Sequence, residues 1–452
     1  MSEEQTSIPK HKLARAATIV GTGAKIGVNY LARKGRVALG QDPETAKEAF
    51  HDRTAADTYE VFSKLKGGPL KVAQMLSLDQ NMMPQQYVDQ FSKAQYSAPP
   101  LSYPLVVRTF KREFEKGPKE IFDTFTNKAV AGASIGQVHK ATKDGKTYAV
   151  KVQYPGVAES LHNDIQMVKP FALKLFNLDS ETLDPYIAEV EERVTEETDY
   201  RLEVQRSIEL ANKTRHLTDV HFPNYYPELS GGKIIVMDWV EGLHLDQFAQ
   251  TNASQDLRDK IGQALWDFYD FQIHELNCFH ADPHAGNFIV RDDKLWILDF
   301  GCVKKLERQF YLDYFAIMDA GETASDDAFI QLLRHLRLLR RDDTEKDIAK
   351  LLPLIRESIE LLSRPFQVND DQYFDFGDAS YLAEIAAFGE RAREDKELQK
   401  MQSGRGNAEA LYLNRSYFGL YNLLGTLGAK VRTQMPTFIH ERRKKQEADT
   451  AA

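Results

Sequence analysis

The sequence predicts an α+β chain of two lobes, a small strand-rich one followed by a larger helical one, with a helical extension in front. Three observations lead there. Short β-branched runs joined by turn signals cluster between about residues 119 and 242. Helical periodicity dominates before them, over about 45–118, and after them, from about 243. The length, 452 residues, exceeds what a single hydrophobic core usually serves. Four zones are therefore expected: a tail over 1–44, the extension over 45–118, the small lobe over 119–242 and the helical lobe over 243–452.

The elements follow in order. Residues 1–12 are polar and lack the apolar run of a secretory signal. Residues 13–32 are mildly apolar, but Lys25 lies mid-segment and Gly21, Gly23 and Gly27 weaken a helix. Lys10, Lys12 and Arg15 precede this stretch, and Arg33, Lys34 and Arg36 follow it. A partly ordered tail is the preferred reading, and a membrane-surface segment is the other. Gly21-Thr-Gly23 has no strand before it, so it is a poor dinucleotide loop. Ala55, Tyr59, Phe62 and Leu65 recur at helical spacing, and Ser97-Ala-Pro-Pro100 breaks the extension. Residues 130–141 and 147–153 read as strands, joined at Asp144-Gly145 by a hairpin signal. A helical stretch covers about 186–215, and 233–240 is another apolar strand. Beyond Ser254 the pattern is helical except at 288–290 and 295–298, with amphipathic helices near 329–339 and 348–362. Arg442-Arg-Lys-Lys445 reads as a solvated terminus, with a lipid-headgroup contact as the second reading.

Composition excludes several classes. At 42% hydrophobic and 28% charged, the chain can bury a core. A net charge of −9 argues against a general nucleic-acid binder, and no nucleic-acid partner is expected. Two cysteines, Cys278 and Cys302, cannot make a disulfide scaffold or a cysteine-rich zinc module. No run of 18 apolar residues suggests a membrane span.

The chemistry concentrates in Phe279-His-Ala-Asp-Pro-His-Ala-Gly-Asn-Phe288 and in Leu298-Asp-Phe-Gly301. Phosphoryl transfer needs oxygen ligands for metal ions on the phosphates, here Asn287 and Asp299. It also needs a carboxylate to orient the attacking oxygen, here Asp282. The spacing matches the kinase His-x-Asp-x-x-x-x-Asn element followed by Asp-Phe-Gly. Upstream, Tyr148-Ala-Val-Lys-Val152 looks like the kinase strand whose lysine binds the α- and β-phosphates. A lysine inside an apolar strand calls for a carboxylate partner. The acidic helix around 189–205 offers Glu196, Glu197, Asp199 and Glu203, of which Asp199 and Glu203 share a face. A solvated acidic face is an equal reading of that helix. The loop before the lysine strand departs from Gly-x-Gly-x-x-Gly: Ala131 and Ala133 stand beside Gly132, with Ser134 and Gly136 following. A Cβ there restricts backbone approach to phosphate, which implies altered nucleotide geometry. The 236–240 segment reads as the strand bordering adenine. There Asp238 and Val240 would offer backbone groups and Met237 would line the pocket.

These residues resemble those of the UbiB (AarF) family of atypical protein-kinase-like proteins, which includes the coenzyme Q8-type proteins. Four landmarks carry the resemblance: Lys64-Leu-Lys-Gly-Gly-Pro-Leu-Lys-Val-Ala-Gln-Met-Leu-Ser77, Ala131-Gly-Ala-Ser-Ile-Gly-Gln-Val-His139, Glu197-Thr-Asp-Tyr200, and His280-Ala-Asp-Pro-His284 with Asp299-Phe-Gly301. The resemblance implies a two-lobed protein-kinase-like fold whose helical extension packs over the active site. It implies Lys151 on the phosphates with Glu203 as its partner, Asp282 as catalytic aspartate, and Asn287 and Asp299 on Mg2+. Ala131, Gly132, Ala133, Ser134, Val138, Ala149, Met237, Asp238 and Val240 would surround ATP. Lys71 and Gln74 would meet Glu197 and Asp199 and obstruct ordinary protein substrates. Ala73 replaces the motif glycine, Ala285 replaces the usual loop proline, and no Ala-Pro-Glu element follows Asp299.

The function so implied is an ATP-binding, ATP-hydrolysing protein that supports ubiquinone or related isoprenoid quinone biosynthesis by handling lipid precursors. Its partners would be quinone precursors or quinone-biosynthesis proteins. Its place would be the cytoplasm, with peripheral contact at the inner face of the plasma membrane left open. A small-molecule or lipid phosphotransferase and a nucleotide-sensing scaffold are the alternatives.

Overall fold

The computed structural model describes residues 12–65, 86–87, 90, 101–133, 135–176, 180–299, 303–323, 325–367, 372–394, 405–406 and 408–434. The chain divides into two compact units, residues 1–208 with 224–239, and residues 209–223 with 240–452.

The first unit opens with two helices, α1 (Lys12–Ala38) and α2 (Pro43–Leu65), which pack on one another. A helix over 12–38 corrects the partly ordered tail preferred from sequence. Its glycines each cost about 1 kcal/mol of helix propensity. Contacts with α2 offset that, among them a hydrogen bond from Asn29 Nδ2 to Asp57 Oδ2 at 3.0 Å and the Tyr30–Phe50 ring contact. Next come α3 (Tyr103–Phe114) and the single turn α4 (Pro118–Ile121). The sheet contains β1 (Thr124–Phe125), β2 (Ala131–Ala133), β3 (Gly136–Lys143) and β4 (Lys146–Gln153). Asp144 (φ 50°) and Gly145 (φ 75°) form the tight β3–β4 turn, which needs left-handed backbone at both positions.

Helices α5 (Val157–Phe176), α6 (Ser180–Glu197) and α7 (Tyr200–Lys213) follow, and α1 also packs on α5. The single helical stretch expected over 186–215 is broken between α6 and α7. Asp199 causes the break: its carboxylate accepts from the Arg201 and Leu202 amides at 3.1 and 3.3 Å and so starts a new helix. The two-residue β5 (Val220–His221) belongs to the second unit, and β6 (Ile234–Asp238) completes the first unit's sheet. The strand order is β1-β3-β4-β6, with β2 on β3, antiparallel throughout.

Strand alternation sorts β4 between two cores. Tyr148, Val150 and Val152 pack with Val106 and Phe110 of α3 on one face. Ala149 packs with Ile235, Met237, Tyr200 and Val204 on the other. Lys151 shares the parity of Ala149, so it faces α7.

The second unit holds β7 (Leu243–His244), α8 (Leu245–Ala249), the long α9 (Gln255–His274), β8 (Cys278–His280), β9 (Phe288–Arg291), β10 (Lys294–Ile297) and β11 (Val303–Lys305). Its main sheet runs β5-β10-β9-β7, and β8 pairs separately with β11. Beyond lie α10 (Arg308–Thr323), α11 (Asp326–His335), α12 (Glu345–Ser363), β12 (Phe374–Asp375), α13 (Ala379–Glu394), α14 (Ala408–Leu427) and β13 (Lys430–Val431). Helix α14 is a core element. Leu413, Leu420, Tyr421, Leu424 and Leu427 are buried, and Tyr421 stacks on Trp266. Those residues are therefore committed to internal packing, while Phe418 is exposed. No helix among the described residues is long and apolar enough to cross a membrane.

Candidate functional site

The first unit places Lys151 against α7. Its Nζ lies 2.7 Å from Glu203 Oε1 and 5.1 Å from the centre of the Tyr200 ring. Both charged side chains are at least nine-tenths buried. Of the four acidic candidates, geometry therefore gives Glu203 to Lys151. Glu196 pairs with Arg206 at 3.3 Å, Asp199 caps α7 and stays exposed, and Glu197 is buried. The strand is also tied to the link between α6 and α7, where Gln153 Nε2 donates to the Thr198 carbonyl at 2.9 Å.

The alanine-rich segment is a short hairpin. Ala131, Gly132 and Ala133 pair with Val138, Gln137 and Gly136, and Val138 pairs in turn with Lys151. Gly136 admits no larger residue, since a Cβ would lie 2.6 Å from the Val152 carbonyl oxygen and 2.7 Å from the Tyr200 hydroxyl. Gly132 has open space around it. Gln137 and His139 of this motif make internal bonds. Gln137 Oε1 accepts from the Leu101 amide at 2.7 Å, and its Nε2 meets His139 Nε2 at 2.9 Å. His139 Nδ1 lies 2.8 Å from the Thr126 carbonyl, so the Nδ1–H tautomer satisfies the chain of bonds. Burial holds His139 below its usual pKa.

On β6, Met237 is buried and pairs with Ala149. The Asp238 amide donates to the Asn224 carbonyl at 2.9 Å. The Asp238 carboxylate takes bonds from Tyr226 and Asn224, each at 2.7 Å, and from Lys146 at 2.9 Å. Burial opposes its ionisation, yet those bonds outweigh it and hold the carboxyl below its usual range.

The second unit gathers the other half of the chemistry. β8 delivers His280, which is buried, lies 3.4 Å from the Tyr269 hydroxyl and hydrogen-bonds the Asp299 backbone. Burial keeps His280 below its usual pKa, against the pull of Asp282 and Asp299. His284 is lowered for the same reason, and its Nδ1 accepts from the Gly286 amide at 3.0 Å, closing the 3-10 turn Ala285–Asn287. Asn287 Nδ2 donates to the Asp282 carbonyl at 3.0 Å, a bond that does not use its acceptor atom Oδ1. The Leu298 amide donates to the Asn287 carbonyl at 3.0 Å, bringing the residue before Asp299 to the asparagine. No group of three or more His, Cys, Asp or Glu among the described residues is arranged to hold a metal alone. An asparagine oxygen and one carboxylate suit Mg2+, which keeps waters and takes phosphate oxygens for its remaining positions.

Sequence reasoning missed one group. Arg415, on α14, lies 3.4 Å from Asp282 Oδ1. No local motif marks it, since its partner is 133 positions away. Lys71 and Gln74, the whole 66–77 part of the extension motif, Ser134, and Phe300 to Cys302 lie outside the described residues. Val240 is buried in the second unit. A separate cavity of about 660 Å³, lined by Asp256, Asp259, Trp266, Asp267, Asp270 and Tyr373 among others, contains none of the residues predicted for the site.

A small antiparallel sheet with a lysine–glutamate pair in the first unit, and an aspartate–asparagine loop followed by Asp-Phe-Gly in the second, define a protein-kinase-like chain. The model of the ABC1 atypical kinase-like domain matches residues 93–329, and the chain belongs to that family, the UbiB/AarF group. It is 26% identical over 381 residues to the probable serine/threonine-protein kinase abkA of Dictyostelium discoideum, covering 79% of this chain and 66% of the relative. It is 26% identical over 439 residues to the atypical kinase COQ8, mitochondrial, of Saccharomyces cerevisiae, covering 95% and 84%. A solved structure titled as the complex of Rv3197 and erythromycin from Mycobacterium tuberculosis matches with a TM-score of 0.54 at 26% identity, covering 86% of this chain and 96% of that one.

Proposed function

We propose that this chain is an ATP-binding, Mg2+-dependent atypical kinase with ATPase activity that supports isoprenoid quinone biosynthesis by handling lipid precursors at a membrane. The buried Lys151–Glu203 pair carries the nucleotide part of this reading. A lysine held in an apolar strand is costly to bury without a carboxylate partner, and Glu203 supplies one at the position where a kinase-like strand presents its lysine to phosphate. In this reading Lys151 binds phosphate oxygens, while Ala131, Gly132, Ala133, Ser134, Val138 and Ala149 line the nucleotide. Adenine meets Met237, the Asp238 carbonyl and Val240, because the Asp238 amide is already bonded to Asn224. Asp282 orients the attacking oxygen and accepts its proton. Mg2+, held by Asn287 and Asp299, would supply charge neutralisation on the phosphates. Lys71 and Gln74, with Glu197 and Asp199, would keep bulky protein substrates out.

The quinone context rests on the family resemblance. Peripheral membrane contact is supported by α1, where Val28, Leu31 and Val37 are exposed among Lys25, Arg33, Lys34 and Arg36. The test is phosphate release from ATP by the full chain, with and without Mg2+, anionic liposomes and phenolic quinone-precursor analogues. Turnover should require Mg2+, rise with liposomes and phenols, and fall at least about tenfold in Asp299→Asn. An Asp299→Asn protein as active as the parent overturns the assignment. Net transfer of the γ-phosphate to a soluble acceptor would replace the ATPase reading with a phosphotransferase.

A further inference from the structure

We propose that α14 is the positioning element of the Asp282 loop, and that Arg415 is the positioning residue that fixes the Asp282 carboxylate. This rests on the nucleotide reading above and extends it to a helix outside the matched 93–329 segment. Four side-chain positions of α14 reach the same neighbourhood. The Tyr412 ring lies 4.2 Å under the Lys304 ammonium, on β11 just beyond Asp299. Arg415 Nη2 lies 3.4 Å from Asp282 Oδ1. Ser416 Oγ donates to the Tyr412 carbonyl at 2.9 Å and lies in contact with the His280 carbonyl oxygen at 3.4 Å. Gly419 packs directly on Pro283, so closely that a Cβ would lie 2.2 Å from the proline Cγ. Positions 412, 415, 416 and 419 form one stripe of a helix. That stripe touches His280 and Pro283, Asp282 between them, and Lys304 of β11.

Two features separate this from incidental packing. A glycine inside a helix is unfavourable by propensity, and Gly419 is the residue that lets the helix backbone approach Pro283. The kinase loop motif carries an arginine directly before its aspartate. Here that position is Ala281, which is buried and uncharged, and the cation beside Asp282 is Arg415 of α14. The pair is partly exposed, with side chains 21% and 29% accessible, so it adds little to folding stability. Its contribution is then to orientation: one rotamer of Asp282 is held, with its charge partly offset, against a backbone fixed by Ser416 and Gly419.

The experiment compares the full-length parent with Arg415→Met, Arg415→Lys, Arg415→Ala, Gly419→Ala and, on the exposed face of α14, Asn422→Ala. In ATP turnover, Arg415→Met should lower kcat by at least about tenfold with KM for ATP within about twofold, the pattern of a lost transition-state interaction. Arg415→Lys should retain part of the rate, and added guanidinium should restore part of the Arg415→Ala rate. Amide hydrogen exchange across 280–288 should quicken in Arg415→Met and Gly419→Ala and stay parental in Asn422→Ala. Parental kcat in Arg415→Met, or unchanged exchange in both loop-facing variants, overturns the proposal. A parent that turns over no ATP overturns the nucleotide reading instead, and the exchange measurement still decides whether α14 holds the loop.

Discussion

Lys151 and Asp282 are both charged groups held by a partner, but the two units hold them differently. Lys151 is buried and its partner, Glu203, is buried with it. Asp282 and Arg415 are both partly exposed. Burial makes the first pair obligatory, because an unpaired charge in that strand would carry its full desolvation penalty. The second pair can be removed and its charges rehydrated. The first unit thus shows an electrostatic requirement on the fold, and the second an adjustable contact at a loop.

Perturbations sharpen this contrast, beginning with the largest. Lys151→Met should destabilise the protein by about 3–5 kcal/mol in urea unfolding, because it strands Glu203. The double variant Lys151→Met/Glu203→Leu should recover most of that loss. Arg415→Met should change stability by no more than about 1 kcal/mol. Equal losses for the two single variants would erase the distinction.

Gln137→Ala should cost about 1–3 kcal/mol by the same measurement, since the Leu101 amide and His139 lose a buried partner.

Acid should then weaken the protein from the histidine side. Burial lowers the pKa of His139, His280 and His274, the last to about 3. Each group is depressed in the folded state, so the unfolded chain binds the proton more readily. The contribution is whole above the unfolded value near 6.5 and is lost as pH falls below it, at up to about 1.4 kcal/mol per pH unit for each group. Asp270, pushed up to about 7 by burial, works in the opposite direction in the second unit. His139→Gln should therefore flatten the dependence of the urea midpoint between pH 7 and pH 5, and an unchanged slope would contradict the assignment.

The smallest effect belongs to Ala131→Gly. It should cost at most about 1 kcal/mol in stability while loosening β2. If the alanine restricts the nucleotide's approach, ADP should bind more tightly in calorimetry, and unchanged affinity would count against that role.

The parts of the molecule that sequence reveals are those set by local rules. Asp144-Gly145 announces the β3–β4 hairpin because few residues accept left-handed backbone. Lys151 announces a partner because a lysine in an apolar strand needs one. The spacing of Asp282, Asn287 and Asp299 is a short-range property of one loop and one hairpin. Three things were illegible for physical reasons. α1 carries glycines that argue against a helix, and only its packing against α2 and α5 settles the matter. The acidic run around 189–205 gives no sign that Asp199 is a cap, so the break between α6 and α7 and the sorting of its carboxylates emerge only in three dimensions. Arg415 sits in an apolar core helix and meets Asp282 through the tertiary fold alone.

The central claim is that this chain binds a magnesium–nucleotide complex through Lys151, Asn287 and Asp299. Calorimetric titration of the full-length parent with ATP, with Mg2+ and then with chelator, tests it most directly. The account predicts saturable binding that weakens at least about tenfold, or about 1.4 kcal/mol, on chelation, in Asp299→Asn and in Lys151→Met. A parent that binds no ATP at millimolar concentration, or an Asp299→Asn protein that binds it as tightly with Mg2+ as the parent does, would contradict it.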